Sequence, residues 1–503
     1  MSGYDDVESA FWEYERALQS NDLEVLDRLV APGPDTLLGD DAGILVGHDA
    51  IRAFRHARDG VPRRVVEAVE IRLIPDAAAL VVAITAPATG GRGQQTQLWN
   101  LIGGSWRVAA THVSQPAPAV NGSVWRTVGT PLVAASVAGV LSGETVAVKD
   151  LYDVAGFPVG AGIPAWLAEA APATEHSPAV AALIAAGADI VGIAQTDEFA
   201  YSIAGRNPHY GTPPNPAVLG GVPGGSSSGP TSAVALGQAS IGLGTDTAGS
   251  VRIPASYQGL WGLRSTHGAV SRERLIALAP TFDAVGWLTR SAATVSAAAE
   301  ATLDMSRQID AAPDYVVAPA LLAHCEPDVR AAFEAFAGDA FDTVELGDID
   351  ELFLTFRTVQ SAEAWRTHGP WIEAHPGALG DDVAGRFAFA ATITAEQEAA
   401  GRTALSAARR TLDSVLGDRV LLVPTASSTA PSVFAGPEHT ERTRQGTLRL
   451  TCIAGLTGRP ALSAPLLSAP QPGALLPAPV GLGLVGPRFS DVALVNLATQ
   501  LVR

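Results

Sequence analysis

The chain has 503 residues, 47% apolar and 17% charged, with a formal net charge of −18. That length exceeds one ordinary core, and that composition excludes a disordered chain. The acidic balance excludes a nucleic-acid or anionic-membrane partner, and two cysteines, Cys325 and Cys452, exclude a disulfide framework or a four-cysteine zinc site.

The opening MSGYDDVESAFWEYERALQS carries acid where a signal peptide carries base, and no apolar run reaches membrane-span length, so a cytoplasmic protein is expected. Val7, Ala10, Phe11, Tyr14 and Leu18 recur at helical spacing and predict an amphipathic helix. NDLEVLDRLVAP predicts a second helix, from an Asx cap to a proline stop. GILVG, RRVVEAVEIRLIP, AALVVAITAP, QQTQLWNLIGG and SWRVAATHVS then read as strands. Helices followed by a run of antiparallel strands predict a small α+β domain over residues 1–114. QPAPAVNGSV, rich in Pro and Ala and almost uncharged, predicts a linker over 115–127. Over 128–503 short apolar strands alternate with Ala-rich helices, as in GETVAVKD, SPAVAALIAAGADIVGIAQ and SAVALGQASIGLGTD. This is α/β alternation. SAPQPGALLPAPVG reads as a loop.

Lys149 ends the apolar strand TVAVKD. A buried strand end is a costly place for an ammonium, so this lysine is either paired or held neutral. Asp150 follows it, but neighbours at a strand end face opposite ways and need not pair. Two clusters come next, GGVPGGSSSGPTS (220–232) and GLGTDTAGSVRIPAS (242–256). Their glycines let backbone N–H groups approach a reacting oxygen closely. The first cluster also admits a flexible linker. It satisfies G-x-S-x-G around Ser227 too, the hydrolase elbow, with His439 as the late histidine; a Pro-Gly loop where a strand is required speaks against that. The second cluster admits a plain strand corner, and it lacks both G-x-G-x-x-G and the lysine of a phosphate loop. Taken with Lys149, the clusters compose a Ser-Ser-Lys constellation. A serine hydroxyl needs a base to take its proton, a lysine serves once burial lowers its pKa from about 10.4, and a second serine can relay the proton. The histidines show no metal-ligand spacing, so neither metal nor organic cofactor is expected.

In order and spacing, Lys149, PGGSSSG and GTDTAGSVRIPAS resemble the amidase signature family, from about Val146 to the C-terminus. The resemblance implies an α/β fold, a large mixed sheet covered by helices, behind the small α+β domain. It implies Ser250 as nucleophile, Ser226 as a relay held by a cis peptide, and Lys149 as base. It further implies an oxyanion hole from the N–H groups of Thr247, Ala248, Gly249 and Ser250, with Ser227 in support and an Asp246–Arg252 pair bracing the loop. Ala248 stands where many relatives have glycine; Ser228 and Pro230 stand where glycine and a variable residue are commoner. AGIPAWLAEAAPATEHSPAV, TDEFAYSIAGRNPHYGTPPNP, RSTHGAVSRERLIALAPTFDAVGWLTR and AWRTHGPWIEAHPGALG are similar to the indole-3-acetamide hydrolase branch. ALQSNDLEVLDRLVAP, LVGHDAIRAFRHAR and WRVAATHVS resemble the NTF2-like domains found beside triazine-pathway amidases, the carboxybiuret and allophanate hydrolases. The halves imply different substrates. One is an aryl or indole-type amide, with Trp166, Phe199, Tyr201, Trp365 and Trp371 as candidates for an aromatic pocket. The other is a small urea or carbamate anion, with Arg206 and Arg366 as candidate ligands. The partners expected are that substrate, water, and a second copy of the chain in a dimer through the N-terminal domain. A non-catalytic scaffold and a glutamine-dependent transamidase subunit stand as alternatives; the intact Lys149, Ser226 and Ser250 speak against the scaffold.

Overall fold

Val7, Phe11 and Tyr14 form one buried stripe along α1 (Gly3–Ser20), as their helical spacing requires. In the computed structural model, which describes residues 3–40, 43–57, 64–75, 77–87, 93–114, 120–471 and 476–501, the chain divides into two compact units, Met1–Ala119 and Val120–Arg503.

In the first unit α1 and α2 (Leu23–Leu29) precede β1 (Leu37–Asp40), β2 (Gly43–Val46), α3 (His48–His56), β3 (Arg64–Ile74), β4 (Ala78–Pro87), β5 (Gly93–Ile102) and β6 (Ser105–Ser114). Asp22 caps α2 by accepting the Val25 N–H at 3.1 Å. The strands form one sheet in the order β2-β1-β6-β5-β4-β3. The helical stripe packs on Val81, Ala83, Trp99 and Val108 of that sheet. The expected strands β3 to β6 pair antiparallel with one another, and β1 joins them by an antiparallel pairing with β2 and a parallel one with β6. β1 (LLGD) carries only two apolar residues and lacks the apolar run that GILV shows, so the sequence does not mark it as a strand.

The second unit holds β7 (Trp125–Val133), β8 (Thr145–Lys149), β9 (Asp189–Ala194), β10 (Ile241–Asp246), β11 (Trp261–Arg264), β12 (Ala284–Thr289), β13 (Tyr315–Val317), β14 (Asp342–Thr343), β15 (Val420–Pro424), β16 (Ala461–Ala469) and β17 (Ala478–Val485). They form one mixed sheet in the order β14-β13-β15-β17-β16-β11-β12-β10-β8-β9-β7. Two expectations need correction. β7 starts at Trp125 and pairs with β9, so residues 125–127 belong to the sheet and not to a linker; residues 115–119 lie outside the described residues. The supposed loop SAPQPGALLPAPVG contributes the paired ends of β16 and β17, with 472–475 outside the described residues.

β8 lies between β9 and β10, parallel to both. Strands covered on both faces read as unbroken apolar runs, as TVAV and IGLG do. Val146 and Val148 point into one core layer. Ala147 faces the other way, against residues of two helices, Ser228–Ala235 and Arg252–Gln258. Lys149 shares that second face by the two-residue period of a strand. Both helices follow the serine clusters, so the lysine at the end of β8 is directed at them. Among the described residues no helix is long and apolar enough to cross a membrane.

Candidate active site

Lys149 is fully buried, and its Nζ lies 2.9 Å from Ser226 Oγ and 2.7 Å from Thr245 Oγ1. Among the described residues no carboxylate pairs with it directly. Asp150 turns away to Arg126, 2.8 Å between Nε and Oδ2, and accepts the Gly160 N–H at 3.0 Å. Burial pushes the Lys149 amine down from 10.5 to about 7, against the attraction of Asp197, Asp246 and Asp283. A neutral amine can give an N–H to Thr245 and keep its lone pair for the Ser226 hydroxyl.

The serine cluster is held from behind by Asp197, itself buried. Ser228 Oγ donates to Asp197 Oδ1 at 3.2 Å, and the Ser226 carbonyl accepts from Thr196 Oγ1 at 2.8 Å. Gly225 precedes a cis peptide to Ser226, and a Cβ there would lie 2.4 Å from Asp197 Oδ2. Only glycine passes this point, which accounts for the bare backbone. Ser227 Oγ is wholly buried and bonds to the Thr245 carbonyl at 3.3 Å. His439, the partner an elbow would need, sits partly exposed beside Arg442. The elbow reading therefore fails on geometry.

Asp246 organises the second cluster. Its carboxylate accepts the Gly249 N–H at 2.9 Å, Arg252 Nε at 2.9 Å, Arg252 Nη2 at 2.8 Å and Arg264 Nη1 at 3.1 Å. Burial opposes ionisation here, but the two guanidiniums overcome it and hold the carboxyl far below its usual range. Thr247 Oγ1 donates to Asp283 Oδ1 at 2.6 Å, and the Ala248 carbonyl accepts from Thr451 Oγ1 at 2.6 Å. The loop bearing Ser250 is thus tied down on both sides. The Gly249 N–H is occupied by Asp246, so the expected four amide donors reduce to Thr247, Ala248 and Ser250 in this conformation. Thr247, Ala248 and Ser250 line a cavity of about 30 Å³ with Tyr201, Arg386 and Arg444. Among the described residues Ser250 Oγ makes no hydrogen bond to Ser226; the Ser227 N–H donates to the Ser250 carbonyl at 3.3 Å.

Of the five aromatic candidates only Tyr201 reaches this cavity. Trp166, Phe199 and Trp371 pack edge to face on one another, with ring centroids 5.1–5.5 Å apart, and Phe199 stacks on His368. Trp365 lies against Gly369. These four are core packing, because their rings find apolar partners within the second unit's core. Arg366 is exposed and paired with Glu398; Arg206 lines an outer cleft and donates to the Ser432 and Val433 carbonyls. The contributors that the sequence reading does not contain include Thr245, Asp197, Asp283, Arg264, Thr451, Arg386 and Arg444. Among the described residues no group of three or more His, Cys, Asp and Glu side chains is placed to hold a metal ion.

Comparison with known proteins agrees with this layout. Residues 131–336 match the Amidase family model, and residues 4–118 match the AtzH-like family model. The chain is 34% identical over 398 residues to Amidase 1 of Oryza sativa subsp. japonica, covering 72% of this chain and 90% of that one. It is 34% identical over 388 residues to 2-amino-5-chloromuconic acid deaminase of Comamonas testosteroni, covering 72% of this chain and 81% of that one. A solved structure from work on a vestigial protein complex and the origins of an s-triazine catabolic enzyme superposes with a TM-score of 0.65 at 25% identity, over 73% of this chain and 86% of that one.

Proposed function

As this chain belongs to the amidase family and is an amidohydrolase, we propose that it cleaves a small amide through an acyl-enzyme on Ser250, with Ser226 as relay and Lys149 as base. The observation that carries the reading is the fully buried Lys149 amine, 2.9 Å from Ser226 Oγ and free of a carboxylate partner among the described residues. The Ser250 hydroxyl turns toward Ser226, and its oxygen attacks the amide carbonyl carbon. Its proton passes to Ser226 as the Ser226 proton passes to Lys149. The N–H groups of Thr247, Ala248 and Ser250 receive the developing oxyanion. The C–N bond then breaks, the relay returns the proton to the leaving nitrogen, and an acyl ester remains on Ser250. Water deacylates it over the same relay.

The intact Lys149, Ser226 and Ser250, brought together in the fold, speak against the scaffold alternative. An aryl or indole-type acyl group finds only Tyr201 of its five aromatic candidates at the cavity. The alternative, a small anion of urea or carbamate type, is favoured by arginine at the cavity and by the AtzH-like domain.

The test is Ser250→Ala beside Ser227→Ala, with mass spectrometry for the acylated peptide. Ser250→Ala should abolish turnover and acylation, while Ser227→Ala keeps both. An active Ser250→Ala protein, or an acyl group on another residue, refutes the reading.

A further inference from the structure

Arg386 and Arg444 come from two separate helices, Asp381–Ala390 and Pro437–Thr457, and meet at the cavity that holds Ser250. Both also line a wider cleft of about 610 Å³, which shares Ile203 with that cavity. The two arginines therefore line the cleft and the Ser250 cavity alike.

Each arginine has an acid on its own helix. Arg386 Nη2 donates to both Asp382 oxygens at 2.7 and 2.6 Å, and Arg444 Nε and Nη2 donate to Glu441 at 2.7 Å. The pairs are oriented. The arginine side chains are 16% and 18% exposed, their acids 67% and 52%. The carboxylates therefore stand in water, where screening weakens their hold, and the guanidiniums face inward. Arg386 Nε and Arg444 Nη1 keep N–H groups with no protein acceptor among the described residues. Arg206 lines the wider cleft too, as do Glu198, Asp381, Asp382 and Glu441, but at the cavity itself Arg386 and Arg444 are the charged side chains. A neutral amide would set no negative charge against these two guanidiniums. The space at Ser250 is also narrow, with room for a water or two, which suits a short chain better than a ring system.

We propose that the substrate is a short amide carrying its own carboxylate, an ω-amido acid, whose carboxylate is held by Arg386 and Arg444 while its amide carbonyl reaches Ser250. The proposal rests on the Ser250 acyl-enzyme reading and narrows its substrate. Since Asp382, the Tyr201 carbonyl and Glu441 engage the other donors, the carboxylate takes one charge-assisted N–H from each guanidinium, Arg386 Nε and Arg444 Nη1.

The test measures kcat/KM for oxamate, malonamate, succinamate and glutaramate against propionamide, butyramide and indole-3-acetamide. One of the acids should exceed its matched neutral amide by about a hundredfold, a size set by two charge-assisted hydrogen bonds. Arg386→Gln and Arg444→Gln should each lower that ratio by about tenfold or more, mainly through KM, and Arg386→Lys should restore part of it. Calorimetry of malonate, succinate and glutarate with the Ser250→Ala protein reads the same contacts without chemistry. Neutral amides turned over as fast as the acids, a ratio indifferent to both arginine variants, or no heat from any of the three dianions overturns the proposal. None of those results touches the Ser250 reading, which falls instead if Ser250→Ala still hydrolyses any amide in the series.

Discussion

Replacing Lys149 with methionine removes the base and a buried amine together, and the two losses pull in opposite directions. Burial takes the amine from 10.5 to about 7. In the unfolded chain the lysine is protonated up to its ordinary value, so between about pH 7 and 10.5 the unfolded state holds a proton that the folded state lacks. Stability therefore rises with pH across that window, and at neutral pH the amine is a liability of about 5 kcal/mol. Lys149→Met should be the more stable protein at pH 7, by somewhat less than this because Ser226 and Thr245 each lose a partner. The advantage should close as pH approaches 10.5. Activity should go the other way, falling by about 10²–10⁴-fold with loss of a general base. The wild-type rate should rise about tenfold per pH unit below pH 7 and level above it, since only the neutral amine accepts a proton. Lys149→Arg should stay inactive, because guanidinium remains charged. The assay is kcat/KM for an uncharged amide from pH 5.5 to 9, with denaturant unfolding of both proteins at each pH. A flat wild-type profile, an active Lys149→Arg protein, or a Lys149→Met protein less stable than wild type at pH 7 would refute the reasoning.

Asp246→Asn strands Arg252 and Arg264 without their counter-charge in the interior, and should lower stability by about 3–5 kcal/mol at pH 7, read from the denaturant midpoint. Because the folded carboxyl is held far below 3.8, its contribution is complete above that pH and is lost as pH falls toward the folded value, so variant and wild type should converge only in strong acid. A protein starting at Asn121 should keep turnover, since every group of the site lies in the second unit, and light scattering should find it monomeric and the full chain dimeric. A folded but inactive truncation, or an unchanged oligomeric state, counts against that assignment.

The legible parts of this molecule are those whose signal is local. A stripe such as Val7, Phe11 and Tyr14 declares its helix, and the length of RRVVEAVEIRLIP declares its strand, because periodicity is visible within a few turns. The two serine clusters and the lysine at a strand end could be found because each combines residue types that a plain core avoids. Thr245 could not, since a threonine inside a strand looks like any β-branched residue until the neighbouring strand brings an amine beside it. Arg264 joins Asp246 only across the sheet. Arg386 and Arg444 read as solvent charges four and three residues from an acid on a helix, the commonest arrangement of surface arginine, and their inward turn is a tertiary fact. The aromatic residues erred in the opposite direction. Trp166, Phe199 and Trp371 cluster as a pocket lining would, but they meet one another and leave no space between.

The pairing of β8 with β10 sets Val148 opposite Leu243 and so fixes where the chain can be cut or lengthened. A residue inserted in Thr145–Lys149, or deleted from it, rotates everything beyond onto the opposite face and turns the amine out toward the layer of Val146 and Val148. The same holds for Ile241–Asp246, which would carry Thr245 away from the lysine. An exposed turn such as Pro376–Gly377, which joins two helices, is under no such restriction, for its length bears on no register. Grafts, tags and circular permutations of this catalytic unit therefore have room around the rim of the sheet and none in its two central strands.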